Sequence, residues 1–288
     1  MNEKRKALFF TVLAGMLWGT SFPSIKIGLN YIDAYMFAFL RFFSASAIMF
    51  IILLVTKKLD FKFAKKRSVW FLGVLNGFSY LLQYVGMTFT TASISSLLVN
   101  LTAVWVAIIS WFLLKERFGN KKLLGIIISI IGVFLITTNL NFLELTKIFF
   151  GDILVLFSGI GWAFFISYSK KFIVDSENSL QFMSWVLFVT VLPLIPFISF
   201  SSHISLNFQV EAWILIGYTA VFCWIVPYWV WLKGLKHLSS TTSTIILLTE
   251  PIVAIIISHF ILGEVFTLIS GTGALLILLA IVLVSLEK

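Results

Sequence analysis

This chain of 288 residues is 60% hydrophobic and only 11% charged, with a formal net charge of +9. Soluble domains are about 25% charged, so the composition excludes a water-soluble protein and leaves little sequence for any aqueous domain.

A membrane-crossing helix needs roughly 20 apolar residues. Ten such runs lie between charged or turn-rich breaks, near residues 7–26, 34–56, 69–88, 92–114, 122–139, 152–171, 180–200, 212–234, 240–262 and 266–286. The first follows Met-Asn-Glu-Lys-Arg-Lys, which looks like the basic start of a signal peptide. No convincing small-x-small cleavage site follows, so it reads as a retained helix. That run carries Trp18 and closes on Lys26, and the second holds Arg41. The third carries Asn76, Tyr80 and Gln83 at i, i+4 and i+7, one stripe of a helix. The fourth has Ser93, Ser96 and Asn100 on a line and ends near Glu116. The sixth carries Trp162 and closes on Lys170. The eighth places Trp224, Tyr228 and Trp231 on one stripe beside Pro227 and Cys223. The ninth contains Glu250-Pro251 and is followed by Glu264. The single cysteine forms no internal disulfide and reads as a small packing residue.

With the N-terminus inside, 18 of the lysines and arginines fall on inner segments and three, Lys26, Arg41 and Lys147, on the outer side. That bias follows the positive-inside rule. It supports ten spans with both termini cytoplasmic, in a plasma or inner membrane. It also accounts for the net charge without a nucleic-acid partner.

Residues 108–118 read Ile-Ile-Ser-Trp-Phe-Leu-Leu-Lys-Glu-Arg-Phe, and residues 256–266 read Ile-Ile-Ser-His-Phe-Ile-Leu-Gly-Glu-Val-Phe, seven of eleven being identical at an offset of 148. Gly15-Met-Leu-Trp18 with Lys26 is matched by Gly159-Ile-Gly-Trp162 with Lys170, at an offset of 144. The chain is thus duplicated, with repeats at 1–139 and 140–288. Five spans per half is an odd number, so the second half enters the membrane from the opposite side. The expected fold is all-α: ten transmembrane helices in two inverted five-helix repeats around a central cavity. Substrate sites in such proteins lie near the bilayer midplane between the repeats.

The chain resembles the EamA-type branch of the drug/metabolite transporter superfamily. The likeness rests on Leu17-Trp18-Gly19-Thr20-Ser21-Phe22 with Lys26, on Leu40-Arg41-Phe42, on Ser93 through Leu-Lys-Glu-Arg-Phe, and on Glu250-Pro251 followed by Gly263-Glu264. It spans essentially the whole chain. It implies a carrier of small metabolites, often an exporter, with no metal or cofactor, and it leaves the substrate open.

Buried polar groups in a membrane mark cavities or helix contacts. Glu250, far in sequence from any basic residue, is expected to meet a cationic substrate, to carry a coupling proton, or to hydrogen-bond a neighbouring helix. The Asn76–Tyr80–Gln83 and Trp224–Tyr228–Trp231 stripes are repeat partners and are expected to face each other with Trp18, Trp162, Asn100 and Glu250 around a cavity. Interhelical bonding for the amides, and packing or interfacial anchoring for the indoles, remain open. Pro227 and Pro251 are candidate hinges. Lys26, Arg41, Glu116, Lys170 and Glu264 are candidate gate residues, or ordinary helix-end charges.

Other chemistries lack their motifs. There is no Gly-x-x-x-x-Gly-Lys-Ser/Thr loop, no Gly-x-Ser-x-Gly elbow, no His-Glu-x-x-His among His203, His237 and His259, and no Cys/His metal spacing. The reading is a secondary transporter, an exporter of small organic metabolites such as amino acids, not an enzyme, a monomer or weak dimer using protons as the coupling ion. A channel or a lipid-translocating protein of the same fold is the alternative.

Overall fold

Lipid offers no partner to backbone donors, so a chain this apolar must bond its backbone internally, within helices. The computed structural model describes residues 3–114, 119–140, 145–173, 179–201, 204, 206–235, 237–238, 243 and 246–286. Helix occurs within every predicted run: α1 (Glu3–Gly28), α2 (Ala34–Val55), α3 (Arg67–Phe89), α4 (Ala92–Asn100), α5 (Thr102–Leu114), α6 (Asn120–Thr138), α7 (Leu145–Ile173), α8 (Ser179–Val191), α9 (Val210–Ala220), α10 (Val226–Leu235), α11 (Thr249–Leu262) and α12 (Leu268–Leu286). Among the described residues five stretches are long and apolar enough to cross a membrane: Arg5–Gly28, Ala34–Val55, Phe150–Tyr168, Leu180–Phe200 and Val210–Gly234.

Several predicted runs are interrupted helices. The fourth tightens at Leu101, whose N–H bonds the Leu98 carbonyl at 3.3 Å, so α4 and α5 meet at a break. The ninth has a turn at Leu248 just before α11. The two break residues have nearly the same backbone, φ −61 and ψ −7 at Leu101 against φ −62 and ψ −9 at Leu248. They lie within one residue of repeat-equivalent positions. The eighth run widens by one residue over Val221–Ile225, between α9 and α10. The seventh ends in a tightly wound stretch, Leu192–Phe200, that holds Pro193 and Pro196.

The packing obeys an exchange of halves. α6 lies along α12, each the fifth run of its half. The third run packs on the sixth (α3 on α7), and its image, the eighth on the first, is α10 on α1. The first packs on the ninth (α1 on α11), and its image is α7 on α4 and α5. Without a hydrophobic drive between helices in lipid, small residues set these contacts. A methyl on Gly19 would lie 2.5 Å from the Glu250 carbonyl oxygen, and one on Gly15 would lie 2.1 Å from Thr249 Oγ1. Gly159, the repeat image of Gly15, faces Thr102 Oγ1 at 3.5 Å by the same measure, and Thr102 is the image of Glu250. The duplication is therefore preserved down to which glycine meets which break.

Contacts between chain ends sort into two sets. Asp33 and Ser201, Asn139 and Thr267, and Lys26 and Thr90 meet at one end. Asp60 with Gln181 and Trp185, and Glu3 and Lys6 with Lys233 and His237, meet at the other. This is the division that the charge census makes.

Candidate functional site

The break in the ninth run decides where Glu250 sits. It lies in the first turn of α11, rather than in mid-helix as its place in the run suggested. Pro251 is beside it in that turn and has no N–H for the carbonyl of Leu247, on the other side of the break. Asn100, the last residue of α4, donates its Nδ2 to the Ser96 carbonyl at 2.9 Å. α11 packs on α4, so the broken runs of the two halves meet here with Glu250 and Asn100 at the junction. Close packing at Gly15 and Gly19 fixes the Glu250 backbone against α1. Glu250 and Asn100 are both half-buried.

The two predicted stripes come together as an aromatic cluster. Trp224 stacks on Tyr228 at 4.9 Å, and Trp18 meets the edge of Tyr228 at 5.7 Å and lies 5.9 Å from Trp231. On the other side Tyr80 packs edge-on to Trp162 at 4.9 Å and on Phe42 at 4.3 Å. Arg41 joins the two groups: it lies over the Tyr80 ring at 5.5 Å and holds the carbonyl of Cys223, next to Trp224. Trp18, Tyr80, Trp162, Tyr228 and Trp231 are half-buried. Asn76 is fully engaged: it donates to Thr190 Oγ1 at 3.1 Å and accepts from Trp162 Nε1 at 3.3 Å. It serves as an interhelical bond between α3, α7 and α8. Gln83 is 2% exposed and its Oε1 has no hydrogen-bond partner. Trp231 Nε1 donates to Ser243 Oγ at 3.0 Å.

Arg41 does not join the outer charges. It is buried beside α3 and the widened turn, where Nη1 donates to the Tyr84 hydroxyl at 2.8 Å and Nη2 to the Cys223 carbonyl at 3.3 Å. That carbonyl is free for a local reason. Its α-helical donor would be residue 227, and Pro227 has no N–H.

Lys26 and Glu264 grip the turn between α3 and α4. Lys26 Nζ donates to the carbonyls of Met87 and Thr90, both at 2.6 Å, at the end of α3. The Glu264 carboxylate accepts from the N–H groups of Ala92 at 2.8 Å and Ser93 at 3.0 Å, at the start of α4. A cation at a helix C-terminus and an anion at an N-terminus are each in the favourable place. Gly263 makes the second contact possible: it ends α11 at φ +67, a left-handed conformation natural to glycine, and so turns Glu264 back toward α4. Glu116 and the Lys170 side chain lie outside the described residues.

The EamA-like transporter family matches residues 5–138 and again residues 149–286. The chain belongs to this family. It is a multi-pass membrane transporter of the drug/metabolite transporter superfamily, built of two EamA repeats, and its family members are transporters rather than enzymes. An uncharacterized transporter of Archaeoglobus fulgidus is 30% identical over 282 residues, covering 94% of each chain. An uncharacterized transporter of Bacillus subtilis is 27% identical, covering 93% of this chain and 89% of its own. A protein of Salmonella typhimurium named a probable amino-acid metabolite efflux pump is 26% identical, covering 95% and 93%. A crystal structure matches with a TM-score of 0.67 over 96% of both chains at 14% identity, a likeness of fold.

Some site neighbours of this EamA protein escaped the sequence reading. Tyr84, which holds Arg41, continues the Tyr80 stripe by one turn, and that spacing is a signal that could have found it. Thr20 accepts from the Tyr218 hydroxyl at 2.8 Å and lies 3.5 Å from Cys223 Sγ, a contact across the halves that no local pattern announces. No group of three or more His, Cys, Asp or Glu side chains suited to a metal occurs among the described residues.

Proposed function

We propose that this chain is a secondary carrier that exports small organic metabolites such as amino acids by alternating access. Two inverted five-helix repeats, residues 1–139 and 140–288, cross the plasma or inner membrane ten times, with both termini cytoplasmic, and work as a monomer or weak dimer. The observation that carries this reading is the packing of the interrupted fourth and ninth runs, with Asn100 ending α4 and Glu250 opening α11, beside aromatic walls drawn from both halves. Discontinuous helices that present polar groups between inverted repeats are how such carriers build midplane sites. Trp18, Tyr80, Gln83, Trp162, Trp224, Tyr228 and Trp231 line the site, and Asn76 braces it. Pro227, beside the widened turn, is the better placed of the two hinge candidates. The name of the Salmonella relative supports amino acids as the first class to test.

Purified protein in vesicles loaded in turn with labelled amino acids and other small metabolites is expected to show saturable counterflow of at least one of them. Conductance without saturation would make it a channel, and flux of labelled phospholipid alone would make it a lipid-translocating protein.

Lys26 and Glu264 close the outer end in this reading. Charge-assisted hydrogen bonds contribute about 1.5–3 kcal/mol each, so Glu264→Ala removes a substantial part of that closure. In a Cys223→Ser background with one cysteine placed at Thr91, Glu264→Ala is expected to raise labelling by an impermeant maleimide from outside several-fold. Unchanged labelling sinks the gate role.

A further inference from the structure

Arg41 carries a charge that its structural role does not need. It is 2% exposed, and no carboxylate among the described residues pairs with it. Its partners are neutral: a phenol, a backbone carbonyl, and the faces of Phe42, Tyr80 and Tyr84 at 5.1, 5.5 and 5.8 Å. Pinning the carbonyl that Pro227 leaves free takes one N–H, which an uncharged amide side chain would supply at no cost of burying a cation. Intramembrane charges kept without a partner mark the place where a partner comes and goes.

The guanidinium also shows which edge is unsatisfied, although that edge is buried and a ligand reaches it only as the packed rings part. Nη1 is committed to Tyr84 at 2.8 Å, whereas Nη2 holds its carbonyl at 3.3 Å and Nε has no partner. Nε and Nη2 form the side-on edge that takes a carboxylate with two parallel hydrogen bonds. Desolvation of Arg41 is already complete in the empty protein, so an arriving anion recovers attraction without a second burial of the cation. Tyr80 lies against Arg41. The Cys223 carbonyl that Arg41 holds adjoins Trp224, whose stack on Tyr228 leads to Trp18 and so to the Gly19 contact with Glu250, so both charges border one aromatic cluster.

We propose that Arg41 anchors the substrate carboxylate while Glu250 takes its ammonium group across the aromatic cluster, so that the carrier selects zwitterions over amines or acids of the same shape. This rests on the carrier reading and deepens it. The aromatic walls suit an apolar side chain, which makes L-phenylalanine, phenethylamine and 3-phenylpropionate a matched set of probes: both charges, the ammonium alone, the carboxylate alone.

The four indoles of the site allow binding to be followed by intrinsic fluorescence of the full chain in nanodiscs. The wild type is expected to bind L-phenylalanine at least tenfold more tightly than either partial analogue. Arg41→Gln is expected to erase the preference over phenethylamine, and Glu250→Gln the preference over 3-phenylpropionate. Arg41→Lys keeps the charge for folding but lacks the side-on fork, and it is expected to lose most of the carboxylate preference. A purely structural arginine would change stability and leave these ratios alone. Retention of the tenfold preference in Arg41→Gln or Arg41→Lys overturns the assignment, as does a wild type that binds no probe or does not prefer L-phenylalanine. If no probe binds while vesicles still show saturable flux of another metabolite, the zwitterion assignment falls and the carrier reading stands; if that flux is absent too, both fall.

Discussion

Glu250→Gln is expected to remove the response of transport to an imposed pH gradient. Glutamine keeps the shape of the side chain, so the junction of α4 and α11 should survive. What it loses is a proton that can leave and a charge that an ammonium group can meet. Loss of a charged hydrogen bond costs about 1.5–3 kcal/mol, or roughly 10- to 150-fold in affinity. Gradient-free counterflow should therefore weaken by about that factor, and gradient stimulation should vanish. The check is uptake into proteoliposomes with and without a pH step, at matched protein content and thermal stability. If gradient-driven uptake is unchanged, Glu250 serves only to join two helices.

Gly19→Leu should be as damaging without altering any charge. A single methyl at Gly19 already meets the Glu250 carbonyl oxygen at 2.5 Å and Val253 Cβ at 2.8 Å, so a larger side chain must push α1 off α11. Overpacking of this kind costs about 1–3 kcal/mol. The displacement falls on the turn that carries Glu250, and transport is expected to drop by tenfold or more while the protein still inserts. Gly217 and Gly271 supply the control, because a methyl at either meets nothing within 4 Å. Alanine there should leave flux unchanged and, by relieving backbone entropy, raise the melting temperature slightly. Equal loss of transport at Gly19 and at Gly217 would mean that close approach of α1 and α11 is not what matters.

The helices were legible because lipid makes the decision local: each backbone group must find its partner within its own run, and composition shows where the runs lie. The repeat was legible for the same reason, since the two Ile-Ile-Ser hairpins and the two Gly-x-x-Trp segments are local strings. The interruptions at Leu101 and Leu248 were not. Neither residue is a helix breaker, and both breaks occur where a helix of the first or sixth run crosses at a glycine. Pro251 marks the neighbourhood of the second break: it has no N–H for the Leu247 carbonyl one turn back, and the turn at Leu248 lies between them.

Polar residues divide the same way. Spacing placed Asn76, Tyr80 and Gln83 on one stripe, yet only the fold shows that Asn76 is consumed by Thr190 and Trp162 while Tyr80 packs on Trp162, Phe42 and Arg41. Lys26 and Glu264 were legible as charges at helix ends. That both hold one turn of backbone follows from the approach of α1 and of the α11–α12 link to α3 and α4.

The sequence by itself determined the membrane class, the helical runs and the duplication, because each follows from interactions within a run. The tertiary structure decided which polar groups are spent on holding helices together and which remain available. Asn76 is spent, Glu250 opens α11 where that helix packs on α4, and Arg41 keeps a buried Nε without a partner. The physical reason is that a hydrogen bond between helices depends on their crossing geometry, and crossing geometry is set by the small residues of two distant segments at once.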